Sequence, residues 1–284
     1  MINTLKTTLL MAAMTALLLV VGRALGGNEG VVLAFLFAGV MNFGSWWFSD
    51  TIVLRMYNAQ PVGPERAPEL HAMVAELARK AGLPMPKVYV VPGPMPNAFA
   101  TGRNPEHAAV AVTEGILQMM PRDELRGVIA HELAHIGNRD TLISAVAAVA
   151  AGAIGMLANM AQWALLFGGR RDEGEEGGGA GGILAIFLAP LVATIIQLAI
   201  SRSREFAADE YAARLIGDGM PLARALQRLE MGVARVHAPV EPSTAHMFIV
   251  SPLSGGGFTR LFRTHPTTED RVARLVSLTN SGLR

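Results

Sequence analysis

Cysteine is absent from this chain of 284 residues. Its absence excludes a disulfide framework, a thiolate nucleophile and any thiolate metal site, so metal ligands must come from His, Asp or Glu. Charge is scarce as well. Asp, Glu, Lys and Arg make up 17% of the residues, where soluble globular proteins carry about a quarter. The formal net charge is only +1. No basic excess exists to neutralise phosphates, which argues against nucleic acid as a partner. Hydrophobic residues, at 51%, take the place the charges leave.

The apolar residues are gathered into four long stretches, at about 7–21, 31–48, 142–167 and 183–200. Each approaches the ~20 residues that span a bilayer as a helix. The first could instead be a cleavable signal, but it lacks an A-x-A site and Arg23-Ala24-Leu25-Gly26 suits cleavage poorly. The second ends in Trp46-Trp47-Phe48, residues that favour a membrane–water interface. For the third and fourth, rich in Ala and Gly, the alternative is a helical pair buried in protein. Residues 168–182 between them are Gly-rich and acidic, as in a flexible loop. These divisions predict an N-terminal membrane hairpin (1–48), a first catalytic part (49–140), a second hairpin (141–200) and a second catalytic part (201–284).

Within the first polar block, Pro61-Val62-Gly63-Pro64 reads as a linker. Residues 69–81 have the spacing of an amphipathic helix, with Leu70, Met73, Val74, Leu77 and Ala78 on one face. Residues 87–91, 97–101 and 108–113 read as short strands. In the second block, helices are expected at 201–217, 221–236 and 268–278, with a Pro- and Gly-rich loop or hairpin at 239–266. The Met247–Val250 patch beside the glycines at 255–257 suggests a moving lid.

The chemistry is concentrated at 121–140, PRDELRGVIAHELAHIGNRD. His131 and His135, four apart, lie on one face of a helix and offer two imidazoles to a single metal ion. Glu132 stands beside them as a general base for water. A catalytic zinc needs a third protein ligand, and Glu205 on a later helix is the best candidate. Asp209, at i+4, is placed to hold a ligand His by its free ring N–H. The bland alternative pairs Glu205 and Asp209 with Arg202, Arg204 or Arg214 along their own helix. If the helix runs on from His135, Leu142 enters the bilayer about two turns later, roughly 10 Å away.

The segments NAFATG (97–102), AVTEGIL (111–117), HELAHIGNRD (131–140) and SRSREFAADEYAA (201–213) resemble the HtpX family of membrane-bound zinc metalloproteases, relatives of the CAAX prenyl proteases. The resemblance covers nearly the whole chain. It implies an α+β, mainly helical integral membrane metalloprotease, zincin-like, with a small sheet beside the H-E-x-x-H helix and about four transmembrane helices. It implies one Zn2+ held by His131, His135 and Glu205, with Glu132 as catalytic base and Asp209 behind a ligand. It assigns peptide binding to the edge strand at Asn97, Ala98, Phe99 and Ala100, and oxyanion stabilisation to His265 in the C-terminal His-Pro. His71, His107, His237 and His246 are left with surface or local roles. The expected substrates are membrane or misfolded proteins, under stress, at a bacterial-type inner membrane. Lys6, Arg55, Arg66, Arg139, Arg202 and Arg204, against Arg23, Arg170 and Arg171, put the catalytic side in the cytoplasm. The competing readings are a processing peptidase for one substrate class and a non-enzymatic membrane scaffold with a relic metal site.

Overall fold

The computed structural model describes residues 2–167, 201–236, 245–250 and 266–282. The loop at 168–182, the fourth apolar stretch, the glycines at 255–257, His237 and His265 lie outside the described residues. The N-terminal apolar residues form α1 (Ile2–Trp47), folded back on itself where Gly26 and Gly27 leave the helical backbone range. Gly27 has φ +57° and ψ −135°, a conformation open to glycine and costly for an L side chain. The two arms, Leu5–Arg23 and Gly26–Trp47, are each long and apolar enough to cross a bilayer. Between the arms, Asn42 Nδ2 donates to Thr15 Oγ1 at 2.8 Å, so polar groups within the hairpin satisfy each other. Leu9, Val20, Leu33, Phe35 and Val40 point outward.

A short helix α2 (Ser49–Met56) leads off the hairpin, followed by β1 (Gln60–Pro61) and α3 (Pro68–Lys80). The sheet continues with β2 (Lys87–Val91), β3 (Ala98–Gly102) and β4 (Ala108–Thr113), in the order β1-β2-β4-β3. β2 and β4 are parallel, whereas β1 on β2 and β3 on β4 are antiparallel. Among the described residues the sheet thus ends in β3 on one side. Both of its faces are covered, and β4 is buried at every residue. Ala108, Val110 and Val112 point into the core under α3, with Leu70, Val74 and Leu77. The alternate residues Ala109 and Ala111 point the other way, against Val53, Leu54, Ala145 and Ala148. Alanine meeting alanine on that second face lets a helix lie close to the sheet.

That helix is α6 (Thr141–Phe167), preceded by α4 (Glu114–Met119) and α5 (Arg122–Gly137). Ile143, Val146, Ala147, Ala150 and Ile154 of α6 pack on Leu10 and Met14 of α1, which ties the first arm of the hairpin to the catalytic part. Of the four expected crossings, the two arms of α1 are membrane-length apolar helices among the described residues; the apolar run of α6 described there, Thr141–Gly155, is shorter. After residue 200 come α7 (Arg202–Ile216), α8 (Met220–Arg235) and α9 (Thr268–Asn280). The expectations for β2, β3, β4, α3, α6, α7, α8 and α9 agree with these elements to within two residues, whereas the second arm of α1 begins five residues earlier than the apolar stretch at 31–48. α2, β1 and α4 were not anticipated, and Pro61, read as linker, pairs with Tyr89 as an edge bridge. Elements of 8, 2 and 6 residues are too short to display a periodicity.

α5 is buried nearly all round, between the sheet, α7 and α8, so its sequence shows no clean polar face. Gly127 is the reason α8 comes so close: a Cβ there would stand 2.8 Å from Leu222 N and 3.0 Å from its Cα. We expect Gly127→Val to push α8 away at a cost of about 1–3 kcal/mol, seen as a lower thermal midpoint in detergent. An unchanged midpoint would show that α8 yields freely.

Candidate metal centre

α5 carries His131, Glu132 and His135 in its last two turns, and then it stops. Contrary to the expectation of a helix running on into the third apolar stretch, the chain turns at Asn138, Arg139 and Asp140. Asp140 N–H donates to His135 O at 2.9 Å and Arg139 N–H to Ile136 O at 3.1 Å, the two bonds of a Schellman ending. The left-handed position falls to Arg139, at φ +57°. A non-glycine residue there costs roughly 1–2 kcal/mol, and the turn that it makes folds Asp140 back beneath His135.

His131 Nε2 and His135 Nε2 stand 3.1 Å apart. Glu205, one turn into α7, brings Oε2 to 3.6 Å from the first and Oε1 to 3.6 Å from the second. Alanines at 208 and 212 make the face of α7 that approaches α5 small and buried, which lets this carboxylate reach across. Ligands held 2.0–2.2 Å from one tetrahedral ion lie about 3.3–3.6 Å from one another. The donor set therefore has both the chemistry and the spacing for a single zinc-sized cation.

The other ring nitrogens are taken. His131 Nδ1 lies 3.0 Å from Asp209 Oδ1, and His135 Nδ1 lies 3.1 Å from Asp140 Oδ2. Each Nδ1–H given to a carboxylate turns the Nε2 lone pair toward the shared point. Behind Asp209 is Arg271 of α9, donating through Nε at 2.8 Å and Nη2 at 2.6 Å. Arg271 is 1% exposed. Behind Asp140 is Arg204, with Nη1 at 3.6 Å. Sequence reasoning found Asp209 but missed Asp140, Arg204 and Arg271. The five-residue step from His135 to Asp140 matches no helical period, and Arg271 lies 62 residues from Asp209. The alternative partners also resolve: Arg214 pairs with Glu210, Arg204 with Asp140, and Glu205 faces the two imidazoles.

Electrostatics favour a cation at this point. Among the described residues, the carboxyls of Glu132, Glu205, Asp140 and Asp209 face two guanidiniums, Arg204 and Arg271. With all four carboxyls ionised and both imidazoles neutral, as metal ligation requires, that leaves the charge that one divalent ion would balance. Burial alone would push the His131 imidazole down, yet Asp209 and Glu205 outweigh it and hold it up at about 9. Burial likewise pushes Asp209 up, and the charge and hydrogen bonds of Arg271 bring it below the usual carboxylate range. For Glu132 burial prevails and the carboxyl is raised, against the neighbouring imidazoles and a backbone hydrogen bond from Ala100. That bond puts the base directly against the edge strand β3.

These groups open onto a cavity of about 50 Å³, walled by Phe99 and Ala100 of β3, by Ser144 and by residues 246–249. Asn97 is buried and its side chain is taken up by the chain itself: Nδ2 donates to Met247 O and Oδ1 accepts from Ile249 N, both at 3.3 Å. Arg271 Nη1 holds Ile249 O at 2.8 Å. His246, given a surface or local role from the sequence, is 5% exposed and donates through Nε2 to Ser144 O at 3.0 Å. Nothing in its sequence neighbourhood signals this. His71 and His107 take no part in the site, and His107 only pairs with Asn104.

Removing Arg271 strands a buried carboxylate. Arg271→Met is expected to cost about 3–5 kcal/mol, with Asp209→Asn in the same chain restoring part of it. Thermal unfolding of the single and double variants measures this, and equal midpoints for the single variant and wild type would refute the clamp.

Comparison with known proteins gives the family. The family model "Peptidase family M48" matches residues 64–279. A protein named "Protease HtpX homolog" from Aquifex aeolicus is 57% identical over 267 residues, covering 92% of this chain and 88% of its own. Proteins of the same name from Pyrococcus furiosus and Ralstonia pickettii are 55% and 54% identical, covering 95% and 99% of this chain and 94% and 99% of theirs. Among solved structures, S. mikatae Ste24p aligns over 97% of this chain with a TM-score of 0.52 and 20% identity. This chain spans 64% of that longer one, and the likeness is one of fold. The chain belongs to peptidase family M48, and it is a metalloprotease carried on an N-terminal pair of membrane-length helices.

Proposed function

We propose that His131, His135 and Glu205 hold one zinc ion and that Glu132 is the general base of an endopeptidase acting on membrane and membrane-proximal proteins. The observation that carries this is the convergence of two imidazole nitrogens 3.1 Å apart with one carboxylate whose two oxygens each stand 3.6 Å from one of them, and a second buried carboxyl beside them. A zinc ion bound there supplies Lewis acidity, polarising a carbonyl and acidifying water. The rest falls to the chain. Glu132 accepts a proton from the attacking water and delivers it to the leaving amine nitrogen. Asp209 and Asp140 keep the two imidazoles in one tautomer. β3 is the outer strand of the sheet, and Ala98, Phe99 and Ala100 accept an extended peptide by backbone pairing, which leaves sequence preference broad. Asn97 acts at one remove, by holding residues 247–249 beside that strand. Glu132→Gln should retain zinc and lose casein hydrolysis in detergent by about a hundredfold or more; full proteolysis with metal bound would end this assignment.

The substrates follow from where the site stands. α6 begins one residue after Asp140 and packs on the first membrane arm, so peptide reaches the cavity close to the lipid surface. Misfolded membrane proteins arising under stress fit a site of broad preference at that height. The excess of Lys and Arg beside the catalytic part supports a cytoplasmic catalytic side. The lack of cysteine makes a clean test possible. A single cysteine at Asn28, at the exposed tip of the hairpin, should react with a membrane-impermeant maleimide on spheroplasts, and one at exposed Glu269 should not. The reverse pattern would place the protease on the outer face.

A further inference from the structure

The two imidazoles are held by parallel chains of groups that differ in one respect. His131, Asp209 and Arg271 are all 1% exposed, with direct hydrogen bonds from the guanidinium. His135, Asp140 and Arg204 have side chains 17%, 5% and 16% exposed, and the guanidinium stands at 3.6 Å, an ion-pair separation rather than a hydrogen bond. Arg204 and Asp140 also wall the cavity. We infer that Asp140 and Arg204 are positioning residues for His135, an outer tether that governs how fast metal enters and leaves, while the inner tether on His131 holds the fold. This rests on the zinc assignment proposed above.

Three features support the division. Asp140 is aimed at His135 by a turn with a left-handed Arg139, a conformation that ordinary chain reversal would give to glycine. Arg204 comes from α7, one residue before the ligand Glu205, and meets Asp140 of another segment only at ion-pair distance, 3.6 Å, which leaves the pair room to part. The inner chain has no such freedom: Arg271 also binds Ile249 O, and its movement would disturb α7, α9 and residues 247–249 together. An ion that leaves must therefore do so by release of His135, whose ring alone of the two reaches solvent.

The test uses the full-length zinc-loaded protein in detergent, challenged with excess chelator, with zinc release followed by a metal-sensitive dye. Asp140→Ala should release zinc about 10–100 times faster than wild type. Asp140→Asn, which keeps an oxygen for His135 Nδ1–H, should fall between, and Arg204→Gln should speed release while Arg204→Lys largely restores it. The increment that zinc adds to the thermal midpoint should shrink in the same order. Release within twofold of wild type in Asp140→Ala, with loaded and metal-free midpoints lowered equally, would mean that Asp140 only caps α6, and would overturn the tether. Glu205→Gln serves as the separate control. If wild type takes up no zinc, or Glu205→Gln holds it as well as wild type does, the ligand assignment itself fails and the tether falls with it.

Discussion

A guanidinium with 1% of its surface in water has to be answered by charge, and Arg271 is answered by Asp209. The cost of burying either alone is several kcal/mol, so the pair forms together or the surrounding structure does not close. Because Arg271 belongs to α9 and Asp209 to α7, closing that pair joins the C-terminal helix to the helix that carries Glu205. Because Asp209 also takes the Nδ1–H of His131, it joins both to α5. The same guanidinium holds Ile249 O, which lays residues 247–249 against the start of the edge strand. One buried ion pair thus connects the third ligand, the first ligand and the wall of the cavity.

Around this centre the chain uses small residues to bring elements together. Gly127 admits α8 against α5, and the Ala109–Ala111 face of β4 admits α6 against the sheet. Close packing is what allows side chains as short as Asp and Glu to span between helices. The membrane enters through the same device: α6 leaves the site directly and packs along the first arm of α1 with Ala147 and Ala150 among its contacts. At the far end of β3, Arg103 of the turn that follows lies over the Trp47 ring at 4.4 Å and donates to Trp47 O. Gly102 O accepts from Thr141 Oγ1 at the start of α6. The edge strand is therefore joined to the membrane hairpin and to α6 at its far end, and to the base through Ala100.

Much of this was legible in residue order, and the failures share a cause. β2 and β4 were readable because β-branched runs bounded by turns have few other solutions, and α3 because its apolar face repeats at helical spacing. His131, Glu132 and His135 announced themselves because a helix converts a four-residue interval into a shared face. Glu205 became a candidate once cysteine was absent and a third ligand was needed, with Asp209 one turn on, and the resemblance to the HtpX family implies roles for the same two residues. Asp140 lies within the same motif but is not legible there, because its contact with His135 depends on a left-handed residue that no local preference of Arg139 foretells. His246 and Arg271 carry no local pattern at all.

The sequence by itself determined the kind of chemistry and the medium. Two histidines four apart with a glutamate between, no thiols, and apolar runs of membrane length specify these through helix period and transfer free energy, which are local properties. Only the tertiary structure decided which carboxylate stands behind which imidazole, which arginine balances it, and that Asn97 holds residues 247–249. Those are pairings between segments as far as 152 residues apart. Burial selects them, because an ionised or polar group taken out of water must find its partner wherever the fold brings one.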